Sequence, residues 1–231
     1  MTPLILLPGL ACDGALFRDQ HAALAALGPL HISDVHTRAA SLPEMAALLL
    51  AEHPGPLALA GSSMGGMLAL AVWRLAPERV RGLALLGSSA RADTPQQLRL
   101  RRDGIAAFEQ GHMDDLLRLN VGMAFHPAHA KACTEDYMAM MGRAGAAQLI
   151  AQNRAVMARP DQRPHLGAIR VPTLVVCGDD DLLTPPECSQ EMAAAIPGAE
   201  LLLLPQCGHL LTWEQPAAVT AALCAWRQRV G

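Results

Sequence analysis

The chain has 231 residues, of which 52% are hydrophobic and 17% are charged, and its formal net charge is −3. A chain of this length can bury one domain, or one domain that carries an insertion. The high hydrophobic and low charged content excludes a disordered chain. The small negative charge provides no basic surface for nucleic acid, so we expect no DNA or RNA partner.

The amino-terminal residues do not have the pattern of a secretory signal, because they lack a basic start and Pro8 interrupts their short apolar run. No apolar stretch approaches the roughly 20 residues that a membrane-spanning helix needs. The six cysteines are widely spaced and include no CxxC pair, which favours reduced, mostly buried thiols. We therefore expect a cytoplasmic protein that does not span a membrane.

Short apolar runs alternate with longer amphipathic segments, which is typical of a parallel sheet covered by helices on both faces. The predicted strands are 4–7, 30–35, 57–60, 80–86, 171–177 and 201–204. The predicted helices are 13–27, 41–52, 67–76, about 186–196, and one that starts near Pro216. Ser41 followed by Glu44 has the pattern of a capping box at the start of the second helix.

The pattern changes between the fourth and fifth predicted strands. Helical spacing dominates there, charges become dense and no strand-like run occurs. We predict that residues 91–169 form a helical lid inserted over the carboxyl edge of the sheet. The core domain would then consist of residues 1–90 and 170–231.

The segment Gly61-Ser62-Ser63-Met64-Gly65 fits G-x-S-x-G, and it lies between a predicted strand and a predicted helix. A serine on such a strained turn is exposed above the sheet, at the amino end of a helix whose dipole favours negative charge. The alternative is a glycine-rich turn that only allows close packing. Neither Ser62 nor Ser88 has glycine at both flanking positions, so Ser63 is the predicted nucleophile.

A serine nucleophile needs a base and an acid that orients the base. His209 follows the last predicted strand in a short loop, which places it near the carboxyl edge of the sheet. Three adjacent aspartates, residues 179–181, follow the fifth predicted strand. The order serine, aspartate, histidine is the one expected for this architecture. The aspartates could instead bind a metal ion, but adjacent side chains in an extended segment or turn do not converge on one ion.

These residues together resemble the α/β-hydrolase superfamily, in particular its small serine esterases with a lid. The matching segments are 7–10, 61–66, 178–185, 208–209 and 214–216. The resemblance implies an α/β-hydrolase fold with a mostly parallel sheet of about six strands, because the hairpin that precedes the first strand in many members has no counterpart here. The family pattern of an aspartate three residues after a glycine selects Asp181 as the acid, with Asp180 as the alternative.

The resemblance also implies an oxyanion hole, formed by the backbone N–H groups of Leu10 and Met64. Relatives usually have histidine where this chain has Pro8, so this loop must be anchored differently.

A spacing that could bind zinc occurs at His126, His129 and Cys133, but Pro127 interrupts the segment and no fourth ligand is evident. We expect neither a metal nor a cofactor.

The predicted lid is rich in methionine and poor in aromatic residues, which favours an adaptable pocket for an apolar acyl or alkyl group. These residues are Met113, Met123, Met138, Met140, Met141, Met157, Phe108, Phe125 and Tyr137. Arg99, Arg101 and Arg102 are interpreted as a solvated helix face, although they could also bind an acidic substrate or an acyl-carrier protein.

The predicted function is hydrolysis of the carboxylic ester of a small molecule through an acyl-enzyme. The same three residues could serve a thioesterase, an enol-lactonase, a perhydrolase or a hydrolase of carbon–carbon bonds, since specificity depends on the lid and pocket. A lyase that forms no acyl intermediate is a further alternative. A binding module without catalysis is disfavoured, because all three catalytic positions are filled.

Overall fold

Six short apolar segments pair into one parallel sheet in the computed structural model, which describes residues 1–230. The strands are β1 (Leu4–Leu7), β2 (Leu30–Ile32), β3 (Leu57–Ser62), β4 (Val80–Leu86), β5 (Thr173–Gly178) and β6 (Glu200–Leu204). Their order is β2-β1-β3-β4-β5-β6, and every neighbouring pair is parallel. This confirms the predicted α/β-hydrolase fold class and strand number. Gly231, the last residue of the predicted second core segment, lies outside the described residues.

Ten α-helices lie along the described chain. They are α1 (Arg18–Ala25), α2 (Leu42–Glu52), α3 (Met64–Leu75), α4 (Pro95–Glu109), α5 (Met113–Ala124), α6 (Pro127–Met157), α7 (Arg163–Leu166), α8 (Pro186–Ala195), α9 (Leu211–Glu214) and α10 (Pro216–Val230). Short 3-10 turns at Gly14–Phe17 and Val35–Thr37 complete the regular structure.

Helices cover both faces of the sheet, and the alternation of side chains along β1 shows how. Leu4 and Leu6 pack in one buried cluster with residues of α1 and α10. Ile5 and Leu7 pack in the other, with residues of α2, α3 and α8. Because both faces are covered, β1 is apolar at every position rather than at alternate ones.

The strand order reverses between β1 and β3, since β2 lies on one side of β1 and β3 on the other. In open parallel sheets, a crevice for ligands forms at the carboxyl ends of the strands at such a point. Leu7 at the end of β1 pairs with Gly61 of β3. The loop after β1 and the turn after β3 therefore lie next to each other.

The chain between β4 and β5 contains only helices, α4 to α7, among its regular elements. Thr94 and Gln97 form a complete capping box at the start of α4. Gly145, with φ 73° and ψ 171°, interrupts the long helix α6. Helix α6 packs against both α4 and α5. We refer to α4, α5 and α6 together as the helical insertion.

The differences from the predicted elements lie at element ends and in short elements that were not predicted, such as α9 and the 3-10 turn at Val35–Thr37. Residues 13–27 divide into a 3-10 turn and α1, because the Asp13 side chain accepts a hydrogen bond from Ala15 N and starts a tighter turn. The Ser41 hydroxyl accepts from Glu44 N as predicted. The Glu44 carboxylate instead accepts from Ala40 N, so the capping box there is half formed.

Over residues 1–230, every helix is too short or too polar to cross a bilayer.

Candidate active site

Ser63 lies between β3 and α3 with φ 54° and ψ −117°, an uncommon backbone conformation for a residue with a side chain. The flanking glycines make this turn possible. A Cβ atom on Gly61 would lie 2.2 Å from the Gly65 carbonyl oxygen, and one on Gly65 would lie 2.0 Å from the Leu7 carbonyl oxygen. The Ser88 hydroxyl donates to the Ser63 carbonyl oxygen at 2.8 Å. The turn is thus held by packing and by hydrogen bonds from its neighbours.

The structure brings the side chains of Ser63, His209 and Asp181 together. His209 Nε2 lies 2.9 Å from Ser63 Oγ, and His209 Nδ1 lies 2.8 Å from Asp181 Oδ2. Only 5% of His209 and 1% of Asp181 are exposed. The imidazole therefore connects a hydroxyl on the cavity side to a carboxylate behind it, as general-base activation of a serine requires.

Besides its contact with His209, the Asp181 carboxylate accepts three hydrogen bonds from the two residues Leu183 and Thr184. Oδ1 accepts from Leu183 N and Thr184 N, both at 2.9 Å, and Oδ2 accepts from Thr184 Oγ1 at 2.8 Å. Burial disfavours the ionised carboxylate, but His209 and the Thr184 donors outweigh burial and hold the pKa of Asp181 below its usual value. Asp180, by contrast, is exposed, and its Oδ2 atom lies 3.6 Å from His126 Nε2.

The pKa of His209 is raised above its usual value. Burial disfavours the protonated ring, but the Asp181 carboxylate outweighs burial, and Glu214 adds a smaller effect in the same direction. An imidazole with a raised pKa is a stronger base toward the serine hydroxyl.

Leu10 and Met64, whose backbone N–H groups were predicted to form the oxyanion hole, both line the cavity that contains Ser63. Neither group donates a hydrogen bond to another residue in the described part of the chain. Met64 is the first residue of α3, so its N–H lies at the positive end of that helix dipole. A Cβ atom on Gly9 would lie 3.4 Å from Ser63 Cβ, which shows how closely this loop approaches the serine.

The loop after β1 is anchored from the helical insertion. Gln152 Oε1 accepts from Ala11 N at 2.6 Å, and Gln152 Nε2 donates to the His36 carbonyl oxygen at 3.1 Å. His36 Nε2 in turn lies 2.9 Å from the Cys12 carbonyl oxygen. This network fixes the loop that follows Pro8.

Glu214 connects the His209 loop to the helical insertion. Its Oε2 atom accepts from Gly208 N at 3.0 Å and from His126 N at 2.8 Å. Its Oε1 atom is buried without a hydrogen-bond partner among residues 1–230, and burial raises the pKa of the carboxyl group.

Sequence reasoning identified none of Gln152, Thr184 and Glu214 as functional, because their roles arise from contacts that join distant segments. Only Thr184 and Glu214 stand inside matching family segments, which could have singled them out.

The cavity at Ser63 has a volume of about 220 Å³ and is mostly apolar. The insertion contributes Phe108, Tyr137 and Met141 to its wall, and α3 contributes Met64 and Met67. Met141 is the only one of the six predicted lid methionines that lines this cavity among the described residues. The others pack inside the insertion or lie nearer its surface, as 41% exposed Met123 does.

The three neighbouring arginines of α4 do not behave alike. Arg99 and Arg102 are exposed, as expected for a solvated helix face. Arg101 instead points inward and lines the cavity.

The His126 ring accepts a hydrogen bond from Ala128 N at the start of α6. No group of three His, Cys, Asp or Glu side chains within residues 1–230 is placed to hold a metal ion.

The parallel sheet and the serine turn after β3 fit the alpha/beta hydrolase fold, and comparison with known proteins agrees. A family model described as the alpha/beta hydrolase fold matches residues 31–216. The chain therefore belongs to the alpha/beta hydrolase fold family, and it is a hydrolase of that fold.

Three similar proteins indicate the range of activities among the relatives. A pimeloyl-acyl-carrier-protein methyl ester esterase of Nitrosomonas europaea is 26% identical over 89% of this chain and 88% of its own length. A 2-hydroxy-6-oxononadienedioate/2-hydroxy-6-oxononatrienedioate hydrolase of Paraburkholderia xenovorans is 31% identical over 67% of this chain and 56% of its own length. The structure of a thermophilic esterase from Thermogutta terrifontis superimposes with a TM-score of 0.89 at 26% identity, covering 100% of this chain and 90% of that one.

Proposed function

We propose that this chain is a serine hydrolase that cleaves a carboxylic ester through an acyl-enzyme on Ser63. The observation that carries the proposal is the continuous connection from Ser63 Oγ through the His209 ring to the Asp181 carboxylate, at 2.9 Å and 2.8 Å. Asp181 is the orienting acid rather than Asp180, because it makes the contact with His209 Nδ1.

In the acylation step, Ser63 Oγ attacks the ester carbonyl carbon while His209 Nε2 takes the hydroxyl proton. The carbonyl oxygen becomes an oxyanion, which the free N–H groups of Leu10 and Met64 stabilise as hydrogen-bond donors. Donors of this kind contribute roughly 2.7–4 kcal/mol each to the transition state. The carbon–oxygen bond to the alcohol then breaks, and His209 returns the proton to the leaving alcohol.

In the deacylation step, His209 takes a proton from water, and the resulting hydroxide attacks the acyl carbon. The bond to Ser63 Oγ breaks and His209 returns the proton to the serine, so one water is consumed per ester cleaved. Asp181 remains ionised throughout, which its lowered pKa supports, and it stabilises the imidazolium in both steps.

The substrate we propose is a small-molecule ester with a small or medium apolar acyl or alkyl group, held under the helical insertion, which acts as a lid. The apolar cavity of about 220 Å³ supports this size, and the esterase relatives support the bond type. Thioester, enol-lactone or carbon–carbon cleavage by the same residues is the alternative, and the Paraburkholderia relative favours keeping it in the test.

The experiment is a series of p-nitrophenyl esters of increasing acyl length, with thioester and lactone counterparts, assayed on wild type and Ser63→Ala. We expect kcat/KM to fall on the order of 10⁴-fold or more in Ser63→Ala, because no other hydroxyl contacts His209 Nε2. Ser189→Ala, which removes a buried serine of α8 outside the cavity, is the matched control and should retain activity.

A phosphonate ester probe should label wild type on Ser63 and should not label Ser63→Ala. Full esterase activity in Ser63→Ala would overturn the proposal. Turnover of the substrate without any trappable adduct on Ser63 would favour the lyase alternative.

A further inference from the structure

The wall of the Ser63 cavity contains a single Asp, Glu, Lys or Arg side chain within residues 1–230, and this residue is Arg101. Every other lining residue is apolar or a neutral polar group, apart from His209 itself. A guanidinium is permanently charged and is costly to bury without an anionic partner. Arg101 brings a permanent positive charge to a cavity wall that is otherwise uncharged within residues 1–230.

Arg101 belongs to a group of three charges that do not balance. Arg101 Nε lies 2.6 Å from Asp93 Oδ2, and Arg159 Nη2 lies 2.7 Å from Asp93 Oδ1. The side chains of Asp93 and Arg159 are 1% and 6% exposed, whereas that of Arg101, on the cavity wall, is 27% exposed. Two guanidinium groups thus share one carboxylate, which leaves one positive charge without a partner.

The neighbouring carboxylates do not supply the missing negative charge. Arg101 also lines a second cavity, of about 410 Å³, which adjoins the first through the shared residues Met67, Leu183 and Thr184. Glu187 lines this second cavity but is exposed to solvent, where its charge is screened. Glu191 lies 2.7 Å from Arg91 and compensates that arginine.

The Arg101 guanidinium also has unused donors. Nε donates to Asp93, and Nη1 donates to Asn153 Oδ1 at 2.8 Å. Nη2 donates to no acceptor in the described part of the chain, so up to three of the five N–H groups remain available. Burial and the nearby Arg159 lower the pKa of Arg101 against the effect of Asp93, which is consistent with incomplete compensation of its charge.

We propose that Arg101 binds a carboxylate of the substrate, so that the preferred substrate is an ester carrying a second, free carboxylate at the end remote from the bond that is cleaved. This inference rests on the proposed function and names its substrate class. A planar carboxylate matches the fork of a guanidinium better than other anions of that size, and such pairs are strong when buried. The apolar wall between Ser63 and Arg101 would contact the methylene groups between the two ends.

The first test compares methyl half-esters of linear dicarboxylic acids of increasing length with methyl esters of the monocarboxylic acids of equal length, by methanol release. Wild type should prefer the half-ester at one chain length. In Arg101→Gln the ratio of the two kcat/KM values should fall about 10- to 100-fold, since a hydrogen bond to a charged group is lost. Arg101→Lys should lose part of the preference. Arg102→Gln, which changes an exposed arginine next to it, should keep the preference.

The second test does not depend on catalysis. Binding of the free dicarboxylates to wild type, Arg101→Gln and Arg102→Gln is measured by titration calorimetry. The expected result is binding to wild type and Arg102→Gln that weakens about 10- to 100-fold in Arg101→Gln. If Arg101→Gln does not fold, the same titration on wild type with the matched half-amides replaces it, and half-amides should bind more weakly.

Equal losses on charged and neutral esters in Arg101→Gln would mean that Arg101 only ties α4 to its neighbours, and would overturn the inference. Equal binding of dicarboxylates and half-amides to wild type would also overturn it. Failure of the proposed function looks different, because then no ester of either kind would be turned over and the phosphonate would not label Ser63, while dicarboxylate binding could still be present.

Discussion

The backbone at Ser63, with φ 54° and ψ −117°, is strained in a way that local sequence does not favour. Such a conformation costs on the order of 1–3 kcal/mol for a residue with a side chain. The surroundings maintain it, since Ser63 N donates to the Leu86 carbonyl oxygen at 2.8 Å and the Ser88 hydroxyl donates to the Ser63 carbonyl oxygen. The strain turns the hydroxyl away from the sheet and toward His209.

Asp181 is the residue whose charge we expect to matter most for the rate. In Asp181→Asn the shape is kept but the negative charge behind the His209 ring is lost, so kcat should fall about 10³- to 10⁴-fold. Because Asp181 raises the pKa of His209, its loss should lower that pKa. His209 acts as the neutral base, so the acidic limb of kcat/KM against pH should move to lower pH in this variant.

Asp180→Asn is the matched control, because Asp180 is exposed and lies outside the contact with His209. Its rate and pH profile should stay close to wild type. A large loss in Asp180→Asn together with a small one in Asp181→Asn would reverse the assignment of the acid.

The three residues that we propose for catalysis each have a local pattern in the sequence. Ser63 has its flanking glycines, His209 follows a strand, and Asp181 holds a fixed place after Gly178. The sequence could not distinguish Arg101 from Arg99 and Arg102. Arg101 points inward in a group with Asp93 and Arg159, and Arg159 follows α6, far from Arg101 along the chain.

Among the elements, the contact between β1 and α3 has the least tolerance. Gly65 in the first turn of α3 would place a Cβ atom 2.0 Å from the Leu7 carbonyl oxygen, a backbone atom that cannot move without shifting β1. We expect Gly65→Ala to lower the free energy of unfolding by about 3 kcal/mol or more and to abolish activity. Chemical denaturation followed by circular dichroism measures the loss.

Gly122→Ala is the matched comparison, because Gly122 is exposed in α5 and a Cβ atom there meets nothing within 4 Å. It should raise the free energy of unfolding by up to about 1 kcal/mol, since alanine favours helix more than glycine does. A Gly65→Ala protein as stable as wild type would contradict the role given to this contact.

Element types were predictable because apolar runs and caps are local, whereas element ends were less so. Edge strand β2 stops at Ile32 because only β1 pairs with it, and its residues are mostly exposed. The short helix α9, which carries Glu214, has too few residues to show a helical period. The end of β2 and the position of α9 are decided by tertiary contacts that no short window of sequence contains.

For the whole molecule, the six free cysteines give a test of how well the interior is closed. Five are buried and Cys224 is intermediate in exposure. Burial, with Asp13 and Asp181 nearby, raises the pKa of Cys12 and of Cys177 to about 12, so their reactive thiolate forms are scarce at neutral pH. Iodoacetamide on the native protein should therefore modify Cys224 first, as mass spectrometry of the intact chain would show.

The denatured chain should take up six labels, one for each cysteine. Rapid native labelling of Cys12, which lines the Ser63 cavity, would instead show that the cavity opens widely to solvent.

At the same scale, the composition and the alternation of elements sufficed to predict a parallel sheet with helices on both faces. The position of β1 between β2 and β3 could not be read from the sequence itself, because strand neighbours are set by crossovers and not by periodicity.

The hydrogen bonds between the His209 loop and the insertion have a consequence for how substrate enters and product leaves. His209 N and Leu210 N both donate to the Ala124 carbonyl oxygen, at 3.0 Å and 3.2 Å, and Glu214 binds His126 N and Gly208 N. The junction of α5 and α6 therefore cannot swing outward without pulling the base from Ser63. We expect substrate and product to pass elsewhere along the helical insertion, so that the cavity opens while the catalytic residues stay aligned.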